Sequence, residues 1–222
     1  AADDPLVRVI ILAANGPAFC AGHDLKELSR ARQNTDKGRE FFKKTMQLCS
    51  TLMQAIVNNP KPVIAQVSGV ATAAGCQLIA SCDLAYADDS ARFSTPGVDI
   101  GLFCSTPMVA LSRNISAKHA MQMLLTGDMI SAEKALNIGL INSVFAVDQL
   151  AIACLQIAEQ IATKSSSTVS TGKQAYYQQR EMSLEDAYRY CSEVMVENML
   201  ARDAEEGINA FIEKRQPKWS DE

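Results

Sequence analysis

Residues 63 to 87 restrict the possible folds of this chain more than any other stretch. The run VIAQV at 63–67 has the length and β-branched content of a short buried strand. GCQLIASC at 75–82 is apolar on nearly every side and indicates a buried helix, and LAYA at 84–87 returns to a strand pattern. A strand, a helix and a strand in such short succession predict an α/β fold.

The pattern changes along the chain. Ahead of the α/β stretch, five apolar residues at +4, +3, +4 and +3 spacing predict an amphipathic helix. These residues are Phe42, Met46, Cys49, Met53 and Ile56. Beyond Pro107 the pattern is mostly helical. We therefore expect an α/β core over residues 1–142 and a helical lobe over residues 143–222.

The composition excludes several classes of partner. At 222 residues and 48% hydrophobic content, the chain can bury one sizeable core. A net charge of −4 without a basic stripe argues against nucleic acid or a membrane surface. The start, AADDPLVRVIILAANG, lacks the basic region of a signal peptide and begins inside a strand-like run. We expect the first elements of the domain to be missing.

Seven cysteines and two histidines limit the metal and redox chemistry. The cysteine count is odd and no C-x-x-C pair occurs, so neither a zinc site nor a disulfide framework is expected. The histidines, His23 and His119, are too few for a His-rich metal site. A reducing compartment fits this cysteine usage best.

Two glycine- and alanine-rich stretches are candidates for binding an oxyanion, AFCAGHDLKEL at 18–28 and SGVATAAGCQL at 68–78. In the first, a turn at Gly22 leads toward a helix and leaves N–H groups near His23 unpaired. In the second, small side chains precede a helix that begins near Ala74, whose first N–H groups are also free. Two such donors aimed at one point form an oxyanion hole, each typically worth roughly 2.7–4 kcal/mol in a transition state. The alternative is two tight turns in a packed domain.

Five stretches together resemble the successive signatures of the crotonase superfamily, the enoyl-CoA hydratase/isomerase family. They are AFCAGHDLKEL, VSGVATAAGCQLIASCDLAYA, ARFSTPGVDIGL, LLTGDMISAEKALNIGLIN and GINAFIEKRQPKW. The resemblance covers essentially the whole chain and keeps the family's order. It implies a spiral of ββα units with a helical C-terminal trimerisation lobe.

The resemblance also implies the ligand, an acyl-CoA thioester, with no separate cofactor and no metal because coenzyme A is part of the substrate. The thioester carbonyl would lie between the backbone N–H groups of His23 and Ala74. Family members generally have glycine at the position of Ala74, and alanine keeps the N–H. The ring of His23 would pack near the CoA or face solvent.

Further CoA contacts are implied at both ends of the chain. His23, Asp24, Leu25 and Lys26 match the turn that wraps the CoA. Phe211 and Lys214 match C-terminal contacts that often reach the site of a neighbouring subunit. The implied assembly is a homotrimer or two stacked trimers, in the cytoplasm of a bacterium or the mitochondrial matrix of a eukaryote.

The sequence departs from the family at its acid and base. By the same resemblance, active hydratases carry two glutamates at the positions of Gln77 and Gly97. Gln77 cannot take a proton, and Gly97 has no side chain. Because losing one general acid or base typically costs roughly 10²–10⁴-fold in rate, we expect very slow hydration.

Three residues are possible replacements, each with a plainer interpretation. Asp99 would share the face of Gly97 in an extended segment, or else be a surface carboxylate. Asp128 could approach the acyl end of the pocket, or serve only as a turn or helix-cap residue. Cys104 could be a nucleophile, but no histidine partner is evident, which favours a small buried residue.

Three functions remain open at this point. The first is an acyl-CoA enzyme that works by enolate stabilisation, such as a decarboxylase of malonyl-type thioesters or a thioesterase with water positioned by Gln77. The second is a weak hydratase that uses a substitute such as Asp99. The third is a binding or scaffolding protein that holds acyl-CoA, or a partner, without turnover. Oxyanion donors beside missing carboxylates favour the first or the third.

Overall fold

A computed structural model describes residues 1–221, which contain eight strands arranged in two sheets. The strands are β1 (Ile10–Ala13), β2 (Ala18–Cys20), β3 (Val63–Val67), β4 (Val70–Thr72), β5 (Leu84–Asp88), β6 (Arg92–Ser94), β7 (Ile130–Ser131) and β8 (Ser143–Phe145). The predicted strands at 63–67 and 84–87 are both confirmed.

Ten α-helices and one 3₁₀ helix, Pro96–Ile100, complete the secondary structure of the described residues. The α-helices are α1 (Leu25–Ala31), α2 (Arg39–Val57), α3 (Ala74–Ser81), α4 (Ser105–Leu111), α5 (Ala117–Thr126), α6 (Ala132–Asn137), α7 (Leu150–Ala162), α8 (Ser166–Gln179), α9 (Leu184–Leu200) and α10 (Arg202–Glu213). The amphipathic helix and the buried helix expected from the sequence are α2 and α3.

The two sheets have the strand orders β1-β3-β5-β8 and β2-β4-β6-β7. The pairs β3–β5, β5–β8, β2–β4 and β4–β6 are parallel, and β7 runs antiparallel to β6. From β1 to β6 successive strands alternate between the sheets, and a helix follows each pair of strands. This alternation is a series of ββα units, and it confirms the predicted α/β class.

The core is built around β3, β5 and α3. Both strands are buried along nearly their whole length, as expected for parallel strands covered on both faces. Most residues of α3 are also buried. Its first residue, Ala74, is half-buried, and the free N–H groups at this helix terminus must be satisfied by protein, water or a ligand.

The chain forms two compact units. The larger comprises Ile11–Val57 and Val63–Leu155, and the smaller comprises Ala1–Ile10, Asn58–Pro62 and the chain from Gln156 onward. This division falls later than the sequence-based boundary at residue 142. The larger unit includes β8, which pairs with β5, and it also includes the first part of α7, as far as Leu155.

Within the smaller unit, Asp203 at the start of α10 fixes the C-terminal segment. Its carboxylate accepts hydrogen bonds from Ser220 N (2.7 Å), Ser220 Oγ (2.8 Å) and Asp221 N (3.1 Å). Burial alone would raise the pKa of Asp203, but hydrogen bonds from Ser165, Ser220 and Asp221 outweigh it and lower the pKa. By contrast, α9 has no buried residue.

Neither a membrane span nor a metal cluster is found in the part of the chain that the structure describes. None of its helices combines the length and apolar character needed to cross a bilayer. Likewise, residues 1–221 contain no group of three or more His, Cys, Asp and Glu side chains placed to hold a metal ion.

Candidate functional site

The N-terminus of α3 is the centre of the candidate site. The chain leaves β4 and turns at Ala73, whose φ of 52° and ψ of −114° are unusual for a residue with a side chain. The Ala73 N–H is held by Ser94 O at 2.9 Å. Helix α3 then begins at Ala74, whose N–H donates to no backbone acceptor among residues 1–221.

The turn at Gly22 packs directly against this helix terminus. Gly22 has a φ of +92°, and a Cβ placed on it would lie 3.2 Å from Ala73 Cβ and 3.5 Å from Ala74 N. Thr72 Oγ1 also donates to Ala21 O at 3.1 Å. The N–H of the next residue, His23, has no acceptor in the described chain. The fold therefore brings the turn before His23 against Ala74 and leaves both expected donors free, while their oxyanion role remains a prediction.

Gly75 explains how α3 comes so close to the neighbouring strand. A Cβ at this position would lie 2.0 Å from the carbonyl oxygen of Cys20 and 2.9 Å from its carbonyl carbon. Because backbone atoms block the Cβ, only glycine allows α3 to dock on β2 in this way. The glycine thus maintains the approach of the two candidate stretches.

The turn expected to wrap the CoA caps a helix and is exposed. Asp24 is the N-cap of α1, and its Oδ1 accepts hydrogen bonds from Lys26 N (2.7 Å) and Glu27 N (3.4 Å). Asp24, Leu25 and Lys26 all lie at the surface. The His23 ring behaves differently, since its Nε2 atom is buried without a hydrogen-bond partner. A solvent-facing Nε2 is therefore ruled out.

Gln77 lies inside the molecule and contacts α2. It is only 4% exposed, and its Oε1 accepts a hydrogen bond from Cys49 Sγ at 3.7 Å. Burial raises the pKa of the Cys49 thiol, with a smaller contribution from nearby Cys20, so the thiol keeps its proton. The sequence did not predict this partner, because Cys49 appears there only as one apolar residue of the amphipathic helix α2.

The space beside Gly97 is filled by atoms of neighbouring residues that carry no charge. A Cβ there would lie 2.9 Å from Cys104 Sγ and 3.0 Å from Leu102 O. Cys104 is itself buried, and burial raises the pKa of its thiol. This environment supports the interpretation of Cys104 as a small buried residue. A glutamate at position 97 would require its neighbours to move.

Of the two candidate acids, Asp99 lies in a different backbone conformation from the one assumed, whereas Asp128 lies at a turn, its plainer interpretation. Asp99 belongs to the 3₁₀ helix Pro96–Ile100, so the assumption of an extended segment, which placed it on the face of Gly97, is wrong. Its carboxylate lies against Gly127, where an added Cβ would be 3.0 Å from Oδ2. Asp128 is exposed just beyond the C-cap Gly127 of α5, and its N–H donates to Thr126 Oγ1 at 3.2 Å.

The two C-terminal candidates lie at the end of α10. Phe211 is 85% exposed, and Lys214 is the C-cap residue with a left-handed φ of 55°. An aromatic ring left so exposed is available to a ligand or to another subunit. Its contact with CoA stays a prediction.

The family is established by comparison with known proteins. The sequence model of the enoyl-CoA hydratase/isomerase family matches residues 1–222. The chain therefore belongs to the enoyl-CoA hydratase/isomerase family. Its structure also superposes on crystal structures of this family, which confirms the expected crotonase fold.

Individual relatives share about half of the sequence. Mitochondrial enoyl-CoA hydratase domain-containing protein 3 of Rattus norvegicus is 50% identical over 214 residues, 96% of this chain and 70% of that protein. The crystal structure of the human protein of that name has a TM-score of 0.92 and 49% identity, covering 98% of this chain and 84% of that chain. An enoyl-CoA hydratase from Mycobacterium smegmatis has a TM-score of 0.92 and 47% identity, covering 98% of this chain and 83% of that chain.

Proposed function

We propose that this protein binds acyl-CoA thioesters and acts on them by stabilising an enolate or oxyanion, not by hydrating a double bond. The backbone N–H groups of His23 and Ala74 would receive the thioester oxygen. The observation that carries the proposal is the pair of N–H groups, on His23 and Ala74, that have no backbone acceptor within residues 1–221. The family resemblance adds the expectation that Gln77 and Gly97 stand where active hydratases carry glutamates.

Decarboxylation of a malonyl-type thioester suits such a site. The bond between the α-carbon and the carboxylate breaks, and its electron pair moves toward the thioester oxygen, where two N–H donors stabilise the charge. No base has to remove a carbon-bound proton, because the leaving group is CO₂. The α-carbon of the enolate then takes a proton from solvent water to give the product thioester. Thioester hydrolysis, with water held by the Gln77 amide, makes the same use of the oxyanion donors.

Binding without turnover is the second candidate function. The absence of a carboxylate at positions 77 and 97 supports it as well as it supports decarboxylation. A weak hydratase that uses Asp99 is less well supported, since Asp99 lies against Gly127 in a 3₁₀ helix.

The proposed assembly comes from the family resemblance, and the proposed compartment comes from the names of the relatives. The protein would form a homotrimer or a pair of stacked trimers, and coenzyme A would enter only as part of the substrate. The rat and human relatives are named mitochondrial, which favours the mitochondrial matrix for a eukaryotic source. A bacterial source would place the protein in the cytoplasm.

The decisive experiment separates binding from hydration. We expect purified protein to hydrate crotonyl-CoA at least roughly 10⁴-fold more slowly than a hydratase that keeps both glutamates. Loss of the conjugated enoyl absorbance measures this rate, and that hydratase serves as the control. A screen of malonyl- and hydroxyacyl-CoA thioesters by mass spectrometry then identifies any turnover.

Binding is measured on the same preparation by calorimetry and thermal melting with acetyl-CoA. We expect heat of binding and a raised melting temperature, because a ligand that binds only the folded state stabilises it. Crotonyl-CoA hydration near the rate of the control would overturn the proposal. Absence of both the heat of binding and the shift in melting temperature would refute the thioester site itself.

A further inference from the structure

We propose that the Cys49 thiol fixes Gln77 as a hydrogen-bond donor toward the acyl group, and that the site thereby selects thioesters with an oxygen acceptor on the acyl chain. The favoured class is 3-oxoacyl or malonyl-type thioesters. This inference rests on the proposed function, and it adds a substrate class and a positioning residue.

The contact between Cys49 and Gln77 sets the orientation of the amide. Cys49 lies on the buried face of α2 with Met53 and Ile56, and it is 9% exposed. Its protonated thiol can donate to the Gln77 Oε1 at 3.7 Å, whereas a thiolate could not. The amide oxygen is therefore directed toward α2, and the N–H₂ group is directed away from it.

The N–H₂ group of Gln77 has no partner in the described protein. It donates to no acceptor within residues 1–221. Within those residues two fully buried side-chain atoms lack a partner, His23 Nε2 and Thr95 Oγ1, and the Gln77 nitrogen is neither of them. The group therefore borders accessible space. Gln77 also follows Ala74 by three residues, and such residues are neighbours on one helix face.

This arrangement reverses the hydrogen-bonding character of the position. A glutamate carboxylate accepts hydrogen bonds, whereas the oriented amide nitrogen only donates. A carbonyl or carboxylate oxygen on the acyl chain would pair with it. A saturated acyl chain would displace water from the N–H₂ without offering an acceptor in its place, which weakens binding.

The test compares two thioesters of equal chain length, acetoacetyl-CoA and butyryl-CoA, by calorimetry on the full chain. We expect acetoacetyl-CoA to bind about five- to tenfold more tightly, the range of one neutral hydrogen bond. If neither binds, the thioester site itself is refuted. If both bind equally, the site exists and the selectivity is refuted.

Variants test the part played by Cys49. Cys49→Val removes the donor and should reduce the acetoacetyl preference to about twofold or less, while Cys49→Ser retains a donor and should preserve it. Cys154→Val is the matched control, because it removes another buried thiol far along the chain and should leave the ratio unchanged. Gln77→Leu should abolish the preference.

The readout is a ratio of two affinities, so a general loss of stability does not imitate the effect. Thermal melting without ligand shows whether each variant folds. If Cys49→Val does not fold, the inference depends on Cys49→Ser and Gln77→Leu alone. An unchanged ratio in Gln77→Leu, or in a folded Cys49→Val, contradicts the proposal.

Discussion

At the scale of single residues, Ala73 at the candidate site adopts a strained backbone conformation. Its φ of 52° and ψ of −114° lie where residues with a Cβ are rarely found and glycine is tolerated. The conformation lets the chain turn from β4 into α3, with the Ala73 N–H on Ser94 O. Such strain typically costs roughly 1–3 kcal/mol and is concentrated at functional sites.

We therefore expect Ala73→Gly to stabilise the protein by roughly 1 kcal/mol, despite the greater flexibility of glycine in the unfolded chain. The free energy of unfolding in urea measures the change. Ala187→Gly is the control, because Ala187 lies in the ordinary helical backbone of α9. There glycine should destabilise the protein by about 1 kcal/mol, an effect of opposite sign. Equal losses in both variants would show that Ala73 is not strained.

At the scale of elements, the docking of α3 on β2 decides whether the site can form. The contact depends on Gly75, since a Cβ would lie 2.0 Å from Cys20 O. No side-chain rotation relieves a clash with a backbone carbonyl, so the helix would have to move. Movement of α3 would also displace Ala74 and Gln77, which it carries.

Gly75→Ala should therefore destabilise the protein by about 3 kcal/mol and abolish thioester binding. Gly172→Ala in α8 is the matched control, because its Cβ meets nothing within 4 Å. That variant should stabilise the helix by up to about 1 kcal/mol. Urea unfolding compares the two, and a small effect of Gly75→Ala would contradict the close approach of α3 to β2.

At the scale of the whole molecule, α9 carries an apolar stripe that a single chain leaves uncovered. Four exposed side chains recur at spacings that place them on one helix face. They are Leu184, Tyr188, Met195 and Met199. A stripe of this kind is suited to an interface between copies of the chain, and we propose that it takes part in the assembly.

Light scattering should give three or six times 24.0 kDa at micromolar concentration. Met195→Lys, which places a charge in the stripe, should shift the protein toward smaller species. Glu193→Lys changes the charge at an exposed residue off the stripe and should leave the mass unchanged. A monomer in the unchanged protein would refute the trimer.

The sequence predicted the local secondary structure well, because short residue patterns determine it. The runs at 63–67 and 84–87 and the apolar spacing of α2 were each sufficient for a correct element. Asp99 was misplaced because no local pattern distinguished the 3₁₀ helix from an extended segment. The boundary at residue 142 also depended on helix content alone, whereas β8 joins the larger unit by pairing with β5.

By itself, the sequence determined the α/β class and the absence of a carboxylate at positions 77 and 97, because residue identity and local periodicity require no coordinates. Only the tertiary structure decided what surrounds those positions. The Cys49–Gln77 contact joins residues 28 apart, and the closed surroundings of Gly97 depend on Cys104. Such contacts arise from the packing of whole elements, which no short stretch of sequence encodes.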